Sequence, residues 1–225
     1  MAKSTERSEF TKKLFEWWKE SHREFPWRNT RDSYQVLISE ILLHRTKAHQ
    51  VVPVYNEFIK RFPTVKDLSS ASLNDVKKIV HPLGLHWRTE HMHQMARHIV
   101  AEFRGEIPSE KEKLESLPGI SHYIASAVRC FALDYPEALL DTNTVRILGR
   151  IFGIKVTDGS RRSKQFRELY QSLLDKDHPR EFNYAMIDLG ALICVPREPL
   201  CDICPANRMC IFGRARINKS PCCNA

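Results

Sequence analysis

Four cysteines lie within a short stretch near the carboxyl end of the chain, and their thiols are the side chains best suited to chemistry. The stretch CVPREPLCDICPANRMC contains Cys194, Cys201, Cys204 and Cys210. Clustered thiols serve as metal ligands, as catalytic groups or as disulfides, and disulfides are rare in a reducing compartment. If the protein is intracellular, the cluster indicates a metal centre or a catalytic thiol.

The composition is that of a folded, basic protein. The chain has 225 residues, of which 42% are hydrophobic and 28% charged, and its formal net charge is +8. The amino-terminal segment has no apolar core of the length that a signal peptide needs, and no run of about eighteen apolar residues occurs. We therefore expect an intracellular protein, in the cytoplasm or at the nucleoid, with no membrane contact. The positive charge favours a polyanionic partner such as nucleic acid.

The elements that must position these groups have the periodicity of helices. Phe10, Leu14, Trp17 and Trp18 are spaced i, i+4, i+7 and i+8, which is the apolar stripe of an amphipathic helix. The same period continues through residues 33–62, 71–84 and 90–103. No Asn-Gly or Asp-Gly pair lies between alternating apolar segments, as a β-hairpin would require. The pattern predicts an all-α fold.

A Pro-Gly pair interrupts the helical period in the segment SEKEKLESLPGISHYIASAVRCFAL. Ser109 and Glu112 have the spacing of a capping box that opens a short helix, and after Pro118 and Gly119 a second helix begins at His122. The start of a helix carries unpaired backbone N–H groups that can bind an anion such as a DNA phosphate. A simple αα-hairpin without a ligand has the same spacing, so both interpretations stay open.

Three separated motifs resemble one family of DNA repair enzymes. The segments LPGISHY and LLDTNTVRILGR, followed by four cysteines in the pattern C-x6-C-x2-C-x5-C, are similar to the helix-hairpin-helix DNA glycosylase superfamily. Near the amino terminus, FPWRNTRDSYQVLISEILLHRT resembles the adenine-mismatch and thymine-mismatch branches of that superfamily, and MIDLGALICVPREPLCDICP matches the approach to the cysteines. The resemblance covers most of the chain.

The resemblance implies an all-α, two-lobed helix-hairpin-helix DNA glycosylase fold with a C-terminal 4Fe-4S cluster loop. One lobe would comprise residues 32–134, including the hairpin. The other would combine residues 1–31 with residues 135–225 and carry the cluster loop, residues 194–210.

The resemblance also assigns a cofactor to the four clustered thiols. They would ligate a 4Fe-4S cluster, which in proteins is commonly held by four thiolates. A zinc site with the same four ligands is the alternative, because CxxC pairs serve zinc equally well. The proposed ligands are Cys194, Cys201, Cys204 and Cys210. Cys222 and Cys223, near the carboxyl terminus, have no assigned role.

Three residues are the catalytic candidates that the resemblance implies. Asp141 precedes a helical run and suits an N-cap, but its carboxylate would also stabilise the positive charge that develops on a sugar as its N-glycosidic bond breaks. Tyr123 stands where bifunctional relatives of the endonuclease III type carry a lysine, and a phenol forms no Schiff base. Glu40, on an otherwise apolar helix, would act on the departing base or hold a water; pairing with Arg45 is the alternative.

The resemblance implies DNA contacts at three places. His44 and Arg45 lie where the family inserts a side chain into the gap left by a flipped nucleotide. Leu85 or His86 would supply a second wedge, and the histidines that follow are more typical of a solvated basic face than of a metal site. The hairpin residues expected to contact DNA are Leu117, Gly119 and Ser121.

These assignments predict a monofunctional DNA glycosylase of base excision repair. It would act, as a monomer, on double-stranded DNA that contains thymine or uracil mispaired with guanine. Tyr123 favours the thymine-mismatch branch, because the adenine-mismatch branch usually has a serine there. The alternatives are removal of adenine from A·8-oxoguanine or A·G mispairs and, in a different class, a non-catalytic iron–sulfur protein that binds DNA.

Overall fold

All regular secondary structure in the described part of the chain is helical. A computed structural model describes residues 4–84 and 86–217, and no strand occurs within those ranges. The predicted all-α class is therefore confirmed. The α-helices, in chain order, are α1 Ser4–Ser21, α2 Ser33–Leu43, α3 Ala48–Arg61, α4 Val65–Ser70, α5 Leu73–Val80, α6 His86–Phe103, α7 Lys111–Glu115, α8 His122–Leu133, α9 Thr142–Phe152, α10 Lys164–Leu173, α11 Pro179–Leu192 and α12 Ile211–Ile217. Short 3-10 turns lie at Pro26–Arg28, His81–Leu83 and Ser160–Arg162.

The described residues pack as two units. Residues 24–135 form one unit, and the residues up to Arg23 form the other together with those from Pro136 onward. None of the helices described in either unit is both long enough and apolar enough to cross a bilayer.

Helix α2 is the central helix of the unit that spans residues 24–135. Its residues Val36, Leu37, Ile38 and Leu42 are almost completely buried, because α2 packs against both α3 and α8. A helix that is apolar on most of its faces belongs in the middle of a bundle. In the same unit α6 packs against α4 and α5. Helices α2, α6 and α8 are the elements that carry the candidate site residues.

The second unit is built around α11, which packs against α1 and α9. Asp188 of α11 is fully buried, and its carboxylate accepts hydrogen bonds from the indole Nε1 of Trp18 at 3.0 Å and from Nε of Arg23 at 2.6 Å. A buried carboxylate is stable only when donors of this kind satisfy it. Asp188 thus fixes the end of α1 to the helix that leads into the cysteine loop.

The capping box predicted for Ser109 and Glu112 is wrong. Helix α7 begins at Lys111, and its N-cap Glu110 makes no side-chain cap. The Ser109 carbonyl, which would accept the first helical hydrogen bond if Ser109 were the N-cap, accepts one from the Arg129 guanidinium instead. The Ser109 hydroxyl donates to the carboxylate of Glu110 at 3.4 Å. These two interactions compete with the hydrogen bonds that would start a helix at Ser109, and the helix begins at Lys111 instead.

Candidate functional site

Two of the catalytic candidates lie on packed helices of the same unit. Glu40, on α2, is a buried carboxyl group with 8% of its surface exposed. Tyr123 is the second residue of α8 and is half-buried. Helix α2 packs against α8, so both side chains belong to one pair of helices.

The turn after α2 holds the residues predicted to enter the DNA. Helix α2 ends at Leu43 with His44 as its C-cap, and Arg45 adopts a left-handed conformation with φ of 61°. This conformation costs an ordinary L-residue about 1–2 kcal/mol. The surrounding structure must therefore hold the turn in place.

Arg88 of α6 supplies that restraint. Its guanidinium donates to the carbonyls of Ile41 and Leu42, at 2.8 and 3.3 Å, and lies 3.3 Å from Nδ1 of His44. Burial lowers the pKa of Arg88 to about 10, and the nearby Arg45 adds to that effect. The α2 carbonyls form the negative end of a helix dipole, which offsets a positive charge at this position.

A pocket in this unit brings the turn, α6 and the hairpin together. Its walls include the predicted residues His44, Gly119 and Ser121. They also include Trp87, which sequence analysis did not identify and which is 51% exposed. The Trp87 ring meets the His44 ring nearly edge-on, with the centroids 6.4 Å apart. A tryptophan between basic residues, in the segment HWRTEH, was the signal in the sequence that could have identified this wall.

The second predicted wedge is only partly described. Leu85 lies outside the described residues. His86 is the first residue of α6, and its side chain is likewise not among those described.

The hairpin between α7 and α8 combines a buried anchor with an exposed tip. Leu117 is 2% exposed, and its carbonyl accepts from the Ile120 N–H at 3.1 Å, so its side chain is a core anchor. Gly119 is exposed, has φ of +79°, and packs so closely on α6 that a Cβ would lie 2.8 Å from Cβ of His91. The exposed Ser121 caps α8 by accepting from the Ile124 N–H at 3.3 Å. The exposed helix start at the tip suits an anionic ligand.

Asp141 lies in the other unit, as the N-cap of α9. Its Oδ1 accepts from the Thr144 N–H at 2.7 Å, and the Thr144 hydroxyl accepts from the Asp141 N–H at 2.8 Å, which completes a capping box. Its Oδ2 accepts from Nδ2 of Asn143 at 3.1 Å. Arg146 donates to the amide oxygen of that asparagine at 2.9 Å. The carboxylate is therefore held in one orientation at the positive end of a helix dipole.

The four clustered cysteines lie in a turn-rich loop between α11 and α12 and carry free thiols. Arg150 donates to Sγ of Cys194 at 3.3 Å, and the Gly213 N–H donates to Sγ of Cys210 at 3.2 Å. Burial raises the pKa of the Cys204 thiol to about 12, and the other three thiols of the loop add to that rise. The four thiols thus lie within one loop and form no disulfide with one another.

The side chains of the described residues do not form a metal site by their positions alone. Across residues 4–84 and 86–217, no group of three or more histidine, cysteine, aspartate or glutamate side chains is arranged to hold a metal ion. The described histidines of α6 do not form one either. His93 is buried and its Nε2 lies 2.9 Å from the Ala71 carbonyl, to which it donates, so it has a structural partner.

Comparison with known proteins finds relatives in one superfamily. Residues 38–172 match the model of the HhH-GPD superfamily of base excision DNA repair proteins. A thymine-DNA glycosylase of Aeropyrum pernix is 42% identical over 89% of this chain and 92% of its own length, and a thymine/uracil-DNA glycosylase of Pyrobaculum aerophilum is 36% identical over 93% and 94%. The solved structure of a thermostable thymine-DNA glycosylase superimposes with a TM-score of 0.86, at 32% identity, over 94% of this chain and 98% of that one.

Proposed function

The chain belongs to the HhH-GPD superfamily of base excision DNA repair proteins, and we propose that it is a monofunctional DNA glycosylase for thymine or uracil mispaired with guanine. The observation that carries this proposal is its similarity, over about nine tenths of its length, to thymine- and uracil-DNA glycosylases. It would act on double-stranded DNA as a monomer, in the cytoplasm or at the nucleoid.

Asp141 provides the electrostatic part of the reaction. Cleavage of the N-glycosidic bond leaves positive charge on the sugar, and a carboxylate held in one orientation stabilises that charge without reorganising. Two unit charges about 4 Å apart at an effective dielectric near 20 interact by about 4 kcal/mol. That energy corresponds to roughly a thousandfold in rate. The same carboxylate orients the water that attacks the sugar carbon.

Glu40 and Tyr123 define what happens to the base and to the sugar. Glu40, buried on α2, holds a water beside a carbonyl of the pyrimidine, because a carboxylate accepts hydrogen bonds and cannot donate one to that carbonyl. Tyr123 at the start of α8 contacts the flipped nucleotide but has no amine with which to form a Schiff base. The product is therefore an intact abasic site rather than a broken strand.

The protein holds DNA at two places. The hairpin binds a backbone phosphate of the DNA, and side chains fill the gap that the flipped nucleotide leaves. The start of α8 at Ser121 binds a backbone phosphate through N–H groups. His44 and Arg45 occupy the space of the flipped nucleotide. Because extrusion costs least at a mispair, filling the gap favours mispairs over matched duplex.

We further propose that the cysteine loop holds a 4Fe-4S cluster. The donor set supports this: four thiols without disulfide partners lie in one loop, and the Arg150 guanidinium and the Gly213 N–H donate to two of the sulfurs. The proposed ligands are Cys194, Cys201, Cys204 and Cys210. When bound, the cluster supplies a cross-link that orders the loop, and catalysis stays with the residues described above.

Iron and sulfide content tests the cluster directly. Anaerobically purified protein should contain about four iron and four sulfide per chain and show the broad visible absorption of such clusters. Cys201→Ser should lower the iron content sharply, whereas Cys130→Ser, which changes a buried cysteine of α8, should not. Stoichiometric zinc without sulfide would instead establish the four-cysteine zinc site.

Release of free base from a set of duplexes tests the proposed function. The set contains T·G, U·G, A·G and A·8-oxoguanine pairs, with T·A as the matched control, and the free base is quantified by mass spectrometry. We expect thymine and uracil to be released only from the guanine mispairs. Release of adenine instead would identify an adenine glycosylase, and binding without any release would identify a non-catalytic DNA-binding protein.

A further inference from the structure

One wall of the pocket beside the hairpin is an exposed tryptophan that the proposed reaction does not use. All four tryptophans lie in the described part of the chain, and Trp87 is the only one of them that is exposed, at 51%. Trp27, in the same unit, is 3% exposed. An indole contributes a large apolar area when it is buried, and at Trp87 the fold forgoes half of that gain. Stability of the fold therefore does not account for a tryptophan at this position.

Neighbouring side chains hold the indole of Trp87 in place. The guanidinium carbon of Arg88 lies over the ring, 5.5 Å from its centroid. The rings of His44 and His91 lie nearly perpendicular to the indole, with their centroids 6.4 and 5.7 Å away. A side chain that is already held in this way loses little conformational freedom when it binds a ligand. The part of the indole that these neighbours leave uncovered is therefore a preformed binding surface.

The charge around this surface favours a polyanion. Among the described residues that line the pocket, Arg88, His44 and His91 are basic and none is acidic. DNA is the polyanion that the proposed reaction requires. Its bases are the parts with flat aromatic faces, which stack on aromatic side chains.

The surface also lies close to the gap in the DNA. His44 is one of the two residues proposed to fill the space of the flipped nucleotide, and the ring centroids of His44 and Trp87 are 6.4 Å apart. Successive nucleotides along one strand are about 3.4 Å apart. Trp87 is therefore within about two nucleotide steps of that space, where extrusion leaves a base without its stacking neighbour.

We propose that Trp87 is a DNA-binding residue whose exposed indole stacks on a base that extrusion of the target nucleotide leaves unstacked. This deepens the proposed function and rests on it in one respect, namely that the turn after α2 enters DNA at an extruded nucleotide. Every base has an aromatic face. The contact therefore distinguishes a duplex with a gap from an intact duplex, and it does not distinguish guanine from adenine.

Binding to a duplex with a tetrahydrofuran abasic site measures this contact without base release. Loss of one base–aromatic stack corresponds to about a tenfold or larger rise in Kd. We expect Trp87→Ala to weaken binding of the tetrahydrofuran duplex by that factor. Binding of matched duplex should change by less than about twofold, because the substitution removes no charge. Trp87→Phe, which keeps an aromatic face, should recover most of the affinity.

Leu133→Ala is the matched control for Trp87→Ala. It removes an exposed apolar side chain in the same unit, at the opposite end of α8 from the hairpin. Its Kd for both duplexes should equal that of the wild-type protein.

Fluorine NMR shows whether the indole itself meets a base. The whole protein labelled with 5-fluorotryptophan contains four fluorinated residues, and Trp87→Phe assigns the signal of Trp87. Saturating tetrahydrofuran duplex should move that signal upfield, because a stacked base shields the ring beneath it. Matched duplex should move it less. The signal of the buried Trp27 should stay in place and so reports an intact fold.

Either readout can overturn the proposal. An unchanged Kd in Trp87→Ala, or equal losses of affinity for the two duplexes, contradicts it. So does a Trp87→Phe variant that binds as weakly as Trp87→Ala, or a Trp87 signal that responds equally to both duplexes. Neither readout depends on glycosidic cleavage, and failure of the proposed function would appear separately, as an absence of free thymine or uracil.

Discussion

At the scale of single residues, Asp141 has two roles that one substitution separates. Asparagine caps a helix about as well as aspartate, so Asp141→Asn keeps the cap of α9 and removes the charge. We expect the single-turnover rate constant to fall by roughly two orders of magnitude or more. The Kd for T·G duplex should change by less than about threefold, because the Asp141 carboxylate stabilises the transition state rather than the bound substrate. Rapid-quench kinetics and a binding titration measure the two quantities.

Asp32→Asn is the matched control for that substitution. Asp32 caps α2 by accepting from the Gln35 N–H at 2.9 Å, and it has no role in the proposed reaction. Its rate constant should equal that of the wild-type protein. If Asp141→Asn lost less than about tenfold, which is about 1.4 kcal/mol, Asp141 would not be the group that stabilises the sugar.

Tyr123 gives a second prediction at this scale. Tyr123→Lys places an amine at the start of α8, where it can attack the sugar carbon that has lost its base. Borohydride should then trap a covalent protein–DNA complex, and strand breaks should appear without alkali. Tyr123→Phe, which lacks both the hydroxyl and an amine, should yield no trapped complex. A trapped complex with the wild-type protein would show that another amine serves as nucleophile.

Residues with local signals were predictable, and those defined by distant contacts were not. Asp141 stands before a clear helical run, and the structure confirms it as an N-cap. The four cysteines share one short segment, and their role as ligands stays a prediction. Arg88 binds carbonyls of α2 that lie more than forty positions earlier. Because such contacts depend on how α6 packs, an arginine in a basic stretch gave no sign of its burial.

At the scale of elements, the hairpin between α7 and α8 depends on Gly119. Its φ of +79° favours glycine, and a Cβ would lie 2.8 Å from Cβ of His91. We expect Gly119→Ala to lower the free energy of unfolding by about 1–2 kcal/mol or more. Displacement of the hairpin from α6 should also weaken binding of duplex DNA. Urea unfolding and a binding titration test both effects.

Gly159→Ala provides the comparison for that variant. Gly159 has φ of −76°, and the nearest atom to an added Cβ is Oγ1 of Thr157 at 3.8 Å. An alanine fits there without strain, so stability and DNA binding should both stay within experimental error. Equal losses of stability and DNA binding in the two variants would mean that the backbone geometry of the hairpin does not determine either property.

The existence of helices was easier to predict than their ends. The apolar period identified helices in residues 10–18, 33–62, 71–84 and 90–103, and the structure is helical in each of these ranges. The start of α7 was misplaced because Arg129, twenty residues away, takes the carbonyl of Ser109. A capping pattern is local, and a side chain from another helix overrides it.

At the scale of the whole molecule, the net charge of +8 predicts binding that depends on salt. Each phosphate contact releases counterions, so affinity falls with a slope of about 0.9 per contact on logarithmic axes. Even two or three contacts imply a loss of about tenfold or more in affinity for undamaged duplex between 50 and 200 mM salt. Titrations at several salt concentrations give the slope. A slope near zero would contradict a phosphate-based interface.

The family as a whole was predictable because its motifs are separated and ordered. The hairpin, the Asp141 segment and the cysteines occur in the order that the superfamily requires. The division into residues 24–135 and the remainder, by contrast, is marked by no linker rich in glycine or serine. Such a boundary is defined by packing, and composition does not reveal it. The end of α1, for example, is held by hydrogen bonds to the carboxylate of Asp188 on α11.

The most direct test of the central claim is a single-turnover time course on one end-labelled T·G duplex. Each sample is divided, and one half is treated with alkali before the strands are separated. We predict cleavage at the thymine position only after alkali, because the protein releases the base and leaves the abasic site intact. An uncut strand in both halves would show that the protein is not a glycosylase for this mispair, and cleavage without alkali would show that it is not monofunctional.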